Sequence, residues 1–133
     1  QKGNRMAVRY KLTKINDNIT SKEQVKYSVT TVSYGNVNLD MLAEQMADAS
    51  TFTYGDVKGM IENLTLLISE ALKEGNTVTI DGLGTFSVTA QPNRDVEEPS
   101  KIRAESIKLK GIGFKPSPKL KDRLSNIEFT RLK

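Results

Sequence analysis

The first part of the chain is patterned with period two. Apolar and polar residues alternate over residues 6–12 and again over residues 25–29, in a run that ends near Gly35. This period is typical of a β-strand with one buried face. The apolar positions are Val8, Tyr10 and Leu12 in the first run and Val25, Tyr27 and Val29 in the second. Because residues 16–18 supply turn formers between them, we expect residues 6–35 to form a β-hairpin with a long loop.

Two helices are predicted next, since the apolar period changes to that of a helix. The first has Asn38 placed as its cap and Asp40 in its first turn. Its apolar positions are Leu39, Leu42, Ala43, Met46 and Ala47. The second runs from Thr53 to Glu74, with Thr53 and Asp56 spaced as in a capping box and Gly75 as the stop signal. Its apolar stripe consists of Val57, Met60, Ile61, Leu64, Ile68, Ala71 and Leu72. This stripe is too wide for one small, aromatic-poor core to cover, so we expect a dimer.

The second half predicts a hairpin, a further strand and a short helix. Residues 77–80 and 85–88 alternate around an Asp81-Gly82-Leu83-Gly84 turn, and apolar periodicity is absent from residues 90–105. The alternation that resumes at residue 107 reverses its parity at Gly111, which indicates a β-bulge there. Ser117 and Pro118 are placed to start a helix that ends at about Leu124. Residues 127–132 predict a final strand.

Charge is distributed unevenly around the net value of +4. Residues 1–35 carry seven basic and two acidic side chains, and residues 36–75 carry two and seven. Residues 76–105 carry three basic and five acidic side chains, and residues 106–133 carry eight and two. Basic clustering matters more than overall pI for nucleic-acid binding. The chain is therefore polarised, with an acidic middle between two basic ends.

The composition limits the chemistry that the chain can carry. It contains no Cys and no His, which excludes thiolate nucleophiles, imidazole acid–base catalysis and the usual zinc ligands. No nucleophile–base pair can be named, so we expect no enzyme activity, no metal and no cofactor. There is no stretch of 18 apolar residues and no signal-peptide pattern. We therefore expect a soluble cytoplasmic protein without a membrane or small-molecule partner.

Two short motifs have structural interpretations that we prefer. Gly82-Leu83-Gly84 lacks the third glycine of a dinucleotide-binding loop and is followed by a strand, so we interpret it as a hairpin turn. Asp95, Glu97 and Glu98 could form an acidic metal or acid–base cluster. They lie in a polar segment with no evident apolar pocket to shift a pKa, so we interpret them as a solvated loop.

A basic run spans the last predicted strand of the second half and the helix after it. It consists of Lys108, Lys110, Lys115, Lys119, Lys121 and Arg123. A charge run by itself is usually a solvated face, and binding of DNA or RNA is the alternative.

The order of elements, with two motifs inside it, resembles the bacterial histone-like proteins of the HU and integration-host-factor family. Residues 78–88 (VTIDGLGTFSV) are similar to the family's Gly-Phe-Gly-Thr-Phe hairpin. Residues 113–121 (GFKPSPKLK) are similar to its Phe-Lys-Pro-Gly-Lys-X-Leu-Lys helix start. The resemblance covers about Leu39 to Leu124. The added hairpin and closing strand resemble the HU-like proteins of Bacteroidetes.

The resemblance implies an intertwined dimer whose helices form a body and whose two β-arms reach around DNA. It implies phosphate contacts from the body at Lys115, Lys119 and Lys121. Segment 98–102 resembles the returning arm strand. The complete set of candidate DNA-binding residues is Lys108, Lys110, Lys115, Lys119 and Lys121 with Arg94, Lys101 and Arg103 of the arm.

The arm departs from the family's pattern. Its Arg-Asn-Pro tip is absent, because Pro92, Asn93 and Arg94 run in the opposite order. Residues 90–105 carry three basic and four acidic side chains, whereas an arm that binds a polyanion would be basic. We therefore expect the body to carry the DNA affinity, with little kinking of the duplex.

These observations predict an α+β, HU-like fold with two helices, a three-stranded sheet with a β-arm, and a short C-terminal helix. An extra small sheet is expected from the N-terminal hairpin and the C-terminal strand. We treat residues 1–133 as a single HU-like domain with a hairpin extension (6–35), a core (38–124) and a closing strand (126–132). Residues 1–5 precede a Met-Ala pair and are treated as unstructured, with Met6 a candidate natural start.

The expected function is architectural, sequence-nonspecific binding of double-stranded DNA by a homodimer in the bacterial nucleoid. The alternative is an HU-derived protein-interaction or scaffold module with little DNA affinity. The charge of the arm favours the alternative, and the basic C-terminal helix favours DNA.

Overall fold

The computed structural model describes residues 7–15, 25–94 and 98–132. Its elements in chain order are β1 (Ala7–Ile15), β2 (Lys26–Val32), α1 (Leu39–Asp48), α2 (Tyr54–Lys73), β3 (Val78–Ile80), β4 (Gly84–Pro92), β5 (Ile107–Pro116), α3 (Pro118–Arg123) and β6 (Glu128–Arg131). They form two compact units, residues 1–38 with 125–133 and residues 39–124. Residues 1–5, the predicted turn at 16–18, and both Asp95 and Glu97 lie outside the described residues.

The first unit contains the extra small sheet that the sequence predicts. Its strand order is β2-β1-β6, with β1 antiparallel to β2 and parallel to β6. The hairpin and the closing strand thus form one sheet, as expected. The expectation of a buried face is not met in the single chain, since Leu12, Tyr27 and Val29 are 37%, 58% and 65% exposed.

Helix α2 of the second unit begins and ends where its sequence signals predict. The Thr53 side chain accepts from the Asp56 backbone, and the Asp56 carboxylate accepts from the Thr53 backbone, which completes the capping box. At the other end, Gly75 has φ +93° and its N–H bonds to the Leu72 carbonyl. The Asn76 N–H bonds to the Ala71 carbonyl, so the helix closes in a Schellman motif.

The sheet of the second unit has strand order β3-β4-β5, with both pairs antiparallel. Thr89 pairs with Gly111 but Ala90 pairs with Leu109, so Lys110 is an extra residue in β5. This is the predicted bulge. Because it restores the parity of the strand, Ile107 and Leu109 share a face with Ile112. The described residues thus have the predicted α+β class, with helices and two small sheets.

The interpretation of residues 98–102 as a returning arm strand is wrong. Pro99–Lys101 forms a 3-10 turn, Ala104–Ser106 forms a second one, and β5 begins only at Ile107. Proline at the first position of the turn has no N–H to donate to a strand ladder, and its φ suits a helical turn. Within the described residues, the β4–β5 ladder therefore ends at the pair Pro92 and Ile107.

In the second unit, α1 packs against α2, and α2 contacts β3 and β4. The buried apolar side chains of the described residues are Ala43, Val57 and Leu72. Within the ranges 7–15, 25–94 and 98–132, no helix is both long and apolar enough to cross a membrane.

Candidate nucleic-acid interface

The β3-β4-β5 sheet has one polar and one apolar face. Residues opposite each other in the ladder share a face, and successive residues alternate between faces. The polar face consists of Thr79, Thr85, Ser87, Thr89, Gln91, Lys108 and Lys115. The apolar face consists of Val78, Ile80, Phe86, Val88, Ala90, Ile107, Leu109, Ile112 and Phe114. Hydroxyl and ammonium groups are donors suited to phosphate oxygens, so the polar face is a candidate DNA-contacting surface.

The hydroxyls of this polar face were missed in the sequence analysis. Their signal was present: Thr85, Ser87 and Thr89 occupy the alternate positions between the apolar residues of β4. The Thr79 and Thr85 hydroxyls are 2.9 Å apart and share a hydrogen bond, and the Thr89 hydroxyl donates to the Gly111 carbonyl at 3.3 Å. The glycines of β5 on this face add no side chains, so the surface between its two lysines is shallow.

Lys115 and Lys119 converge on the turn between β3 and β4. Lys115 lies opposite Thr85 in the ladder, and the Cδ of Lys119 lies 3.8 Å from the place that a Cβ on Gly82 would occupy. A groove of about 350 Å³ lies at this turn and at the start of α3. Its lining includes Thr79, Asp81, Thr85, Lys115 and Ser117. Lys115 therefore lines a hydroxyl-rich groove with one carboxylate, and Lys119 lies beside Gly82 of the same lining.

Backbone geometry fixes this turn against the start of α3. The Leu83 N–H bonds to the Ile80 carbonyl, and the Ser117 N–H bonds to the Leu83 carbonyl, at 2.9 and 3.0 Å. Gly82 has φ +84°, which favours glycine. Gly84 has φ +156°, and a Cβ there would lie 2.7 Å from Cζ of Phe114. The two glycines thus have the structural role that the sequence predicts.

Helix α3 presents the remaining body lysine. The Ser117 side chain accepts from the Leu120 N–H at 3.1 Å, and Pro118 occupies the first turn, as predicted. Lys119 and Lys121 are both exposed on this short helix, as are Lys108 and Lys110 in β5. Five of the predicted DNA-binding residues thus belong to one continuous segment, β5 and α3.

The three arm cations are set apart from the body lysines by the β4–β5 ribbon. Beyond Pro92, the Asn93 N–H bonds to the Ser106 carbonyl at 2.7 Å, and the Asn93 amide donates to the Glu105 carbonyl at 3.2 Å. These bonds close a loop that carries Arg94, Lys101 and Arg103. Lys101 lies 4.0 Å from Glu98, and both side chains are mostly exposed. The loop combines both signs of charge.

A corner of the second unit holds one carboxylate, that of Asp40 in α1, in contact with two side chains of α2. The Tyr54 hydroxyl donates to Asp40 at 2.6 Å, and the Lys58 ammonium lies 3.0 Å from the same oxygen. The hydrogen bond from Tyr54, followed by the one from Lys58, lowers the pKa of Asp40. The same contacts with Asp40 raise the pKa of Tyr54 and the pKa of Lys58. Lys58 is thus paired with a carboxylate at this corner.

The sequence is similar to two bacterial proteins over 62% of the chain. The DNA-binding protein HU of Thermus thermophilus is 35% identical over 86 residues, which cover 62% of this chain and 87% of that protein. Integration host factor subunit alpha of Caulobacter vibrioides is 32% identical over 88 residues, which cover 62% and 84%.

The folds agree with solved structures at low sequence identity. A Bacteroides vulgatus crystal structure matches with a TM-score of 0.68 at 14% identity, over 95% of this chain and 48% of that one. This chain therefore spans about half the length of that protein. The Anabaena HU–DNA cocrystal matches with a TM-score of 0.50 at 17% identity, over 67% of this chain and 98% of that one.

These likenesses define an HU-like, histone-like protein. The family model for an HU domain fused to a wHTH, Ig, or glycine-rich motif matches residues 6–131. The chain belongs to this family, and the resemblance found in its sequence is confirmed.

Proposed function

We propose that this protein binds double-stranded DNA without sequence preference, as an architectural protein of the bacterial nucleoid, in the cytoplasm. The observation that carries the proposal is the polar face of the β3-β4-β5 sheet. Its hydroxyls lie between Lys108 and Lys115, and Lys119 borders the same sheet at the turn. Such groups contact phosphate and sugar, which position a protein on DNA without reading its sequence.

The relatives support this proposal. The Thermus protein is named for DNA binding, and the Anabaena HU was crystallised with DNA. We propose that Lys115, Lys119 and Lys121 make the principal phosphate contacts, with Lys108 and Lys110 further along β5. Arg94, Lys101 and Arg103 contribute less, because acidic side chains in the same loop offset their attraction. No enzymatic step is part of this function.

We further propose that the DNA-binding form is a homodimer. The inner side of α2 holds the buried Val57 and Leu72, but Met60, Leu64 and Leu67 form a second stripe that is 50%, 42% and 52% exposed. On the sheet, Ile112 and Phe114 of the apolar face are 65% and 44% exposed. Apolar side chains exposed to this extent on a helix stripe and a sheet face mark a protein interface. A second copy of the chain would bury these exposed apolar side chains.

The dimer is tested by Leu64→Asp with Asn63→Asp as the matched control. Both variants add one carboxylate to α2 at adjacent exposed positions, but only position 64 belongs to the apolar stripe. Leu64→Asp should dissociate and unfold the protein, since a carboxylate inside an apolar interface is unpaired. Light scattering at micromolar concentration should give a dimer for wild type and Asn63→Asp. A folded wild-type monomer would contradict the dimer.

DNA binding is tested by fluorescence anisotropy with two duplexes of unrelated sequence. We expect equal affinities for both, and a steep loss of affinity between about 50 and 200 mM salt. A strong preference for one duplex would overturn the nonspecific mode.

The scaffold function is the second candidate, and the mixed charge of the loop between β4 and β5 favours it. It predicts a dimer that does not bind either duplex, even at about 50 mM salt. The same titration therefore decides between the two candidates.

A further inference from the structure

The three aromatic side chains in the strands of the first unit lie on one face of its sheet, together with several aliphatic ones. In the ladders, Val8 lies opposite Phe129, Leu12 opposite Val29, and Lys14 opposite Tyr27. Because opposite residues share a face and alternate residues along a strand return to it, Tyr10 lies on this face as well. We call this the aromatic face. It consists of Val8, Tyr10, Leu12, Tyr27, Val29 and Phe129, with Thr31, Lys14 and Arg131.

The aromatic face is open in the single chain. Tyr27, Val29 and Phe129 are 58%, 65% and 57% exposed. An apolar sheet face this open marks a binding surface. The opposite face differs in its side chains: it carries hydroxyls, the cations Arg9, Lys11 and Lys26, and the aliphatic residues Ala7, Ile15 and Val32. The Arg9 guanidinium lies 4.0 Å from the centre of the Tyr34 ring and donates to the Ser33 carbonyl.

The charges near the aromatic face are positive. Lys14 lies across from Tyr27, and Arg131 lies across from Tyr10. Glu128, the one acidic residue in β1, β2 and β6, pairs with Ala7 and so belongs to the opposite face. A second copy docked face to face would place four cations and no carboxylate of these strands in one interface, which is unfavourable. A polyanion would be attracted to them instead.

We propose that the aromatic face binds single-stranded nucleic acid by stacking bases on its rings. Phe129 and Tyr27 lie at opposite ends of the face, six residues apart along β1, or about 20 Å. Tyr10 lies between them. Rings on an open sheet with cations beside them are the features with which proteins bind unpaired bases of any sequence. A duplex keeps its base faces stacked internally, so it does not fit this surface. The site is separate from the body lysines that bind duplex in the proposed function.

The proposal is tested by fluorescence anisotropy with a short labelled oligothymidylate. The titrations use the full chain with Lys115, Lys119 and Lys121 changed to Glu, so that duplex binding by the body does not contribute. In this background, Tyr27→Leu with Phe129→Leu keeps the apolar bulk of the face but removes two rings. We expect affinity to fall about fivefold or more for each ring. Binding should also quench tyrosine fluorescence, which no Trp masks.

Two lysines of β1 provide a matched control. Lys14 and Lys11 are both exposed and lose the same charge on substitution by Ala, but Lys14 lies on the aromatic face and Lys11 on the opposite one. Lys14→Ala should weaken oligothymidylate binding more than Lys11→Ala. Far-UV circular dichroism and the melting temperature of each variant show whether it remains folded. If the double Leu variant unfolds, the pair of lysine variants decides the outcome.

Three results would overturn the proposal. One is the absence of oligothymidylate binding at low salt. Another is an affinity that the ring and Lys14 substitutions leave unchanged. The third is a ring variant that alters the molecular mass in light scattering and leaves nucleic-acid binding unaffected, which would assign the face to a protein partner. The body variant also separates this proposal from the proposed function. If it loses duplex binding but retains oligothymidylate binding, the two sites are distinct.

Discussion

The β4–β5 ribbon has two ends that differ in both structure and charge. At its base, Gly84 pairs with Pro116, hydrogen bonds join the β3–β4 turn to the start of α3, and Lys115 and Lys119 lie beside that turn. At its tip, the ladder gives way to 3-10 turns in a loop of mixed charge. A hairpin that resembles a DNA-binding arm can therefore have a cationic base without having a cationic tip. The base then becomes the expected DNA contact.

The largest effect is expected from reversing the charge at the base. Replacing Lys115, Lys119 and Lys121 with Glu should weaken duplex binding more than about a hundredfold at low salt, because it turns the proposed phosphate contacts into repulsions in both subunits of the proposed dimer. The control is the variant in which Arg94, Lys101 and Arg103 are changed to Glu, because its net charge changes by the same amount. Anisotropy titrations should show a much smaller loss for this control. Equal losses would mean that net charge, and not position, determines affinity.

A large effect on stability is expected at the base of the ribbon as well. Gly84→Ala places a Cβ against Phe114 and the Lys115 carbonyl at φ +156°, so it should lower the free energy of unfolding by about 2 kcal/mol. Gly111→Ala is the matched control, since its Cβ would meet no heavy atom within 4 Å. Thermal unfolding should show a lower melting temperature for Gly84→Ala alone. A Gly84→Ala protein as stable as wild type would contradict the close approach.

A small effect is expected at the tip. Neutralising Arg94, Lys101 and Arg103 with Gln should change duplex affinity less than about threefold, because the acidic side chains of the loop already offset their attraction. Energy transfer between dyes at the duplex ends should report little bending by the wild-type protein. A large bend that the Gln variant abolishes would show that the tip wedges into DNA.

The smallest effect on binding is expected at the corner where Asp40 of α1 contacts Tyr54 and Lys58 of α2. Because the pKa of Asp40 is lowered by Tyr54 and Lys58, its contribution to stability is present above its ordinary pKa of 3.8 and is lost as pH falls through the lowered value. Tyr54→Phe removes one of these hydrogen bonds, so the pKa of Asp40 should be lowered less and the loss of stability at acidic pH should be smaller. Duplex affinity at neutral pH should not change. Altered affinity would place this corner in the DNA interface.

The sequence predicts elements whose signals are local. The capping box of Thr53 and Asp56, the stop at Gly75 and the bulge beside Gly111 each depend on a few neighbouring residues, and all three are present. The parallel pairing of β6 with β1 was not predicted, because strand order depends on contacts between distant parts of the chain. The same limit applies to exposure, since a pattern of alternation does not show whether a face is covered.

The candidate site was predicted in part. Lys115 and Lys119 were identified from the resemblance, and the structure brings both to the β3–β4 turn. The hydroxyls of Thr85, Ser87 and Thr89 were not predicted as part of the site, because hydroxyls at alternate positions of a strand are equally expected on a solvent-exposed face. The tip was misinterpreted because Pro99 resembles an arm residue by position, whereas its local preference is for the turn that it forms.

The salt dependence of duplex affinity tests the account most directly. Titrations at several salt concentrations give the slope of log affinity against log salt, in which each neutralised phosphate contributes about −0.9. Replacing Lys115, Lys119 and Lys121 with Gln removes up to six contacts from a dimer, so the slope should become shallower by about 5. The Gln variant of the three arm cations should keep a slope close to that of wild type. A slope that is unchanged by the body substitutions and flattened by the arm substitutions would contradict the account.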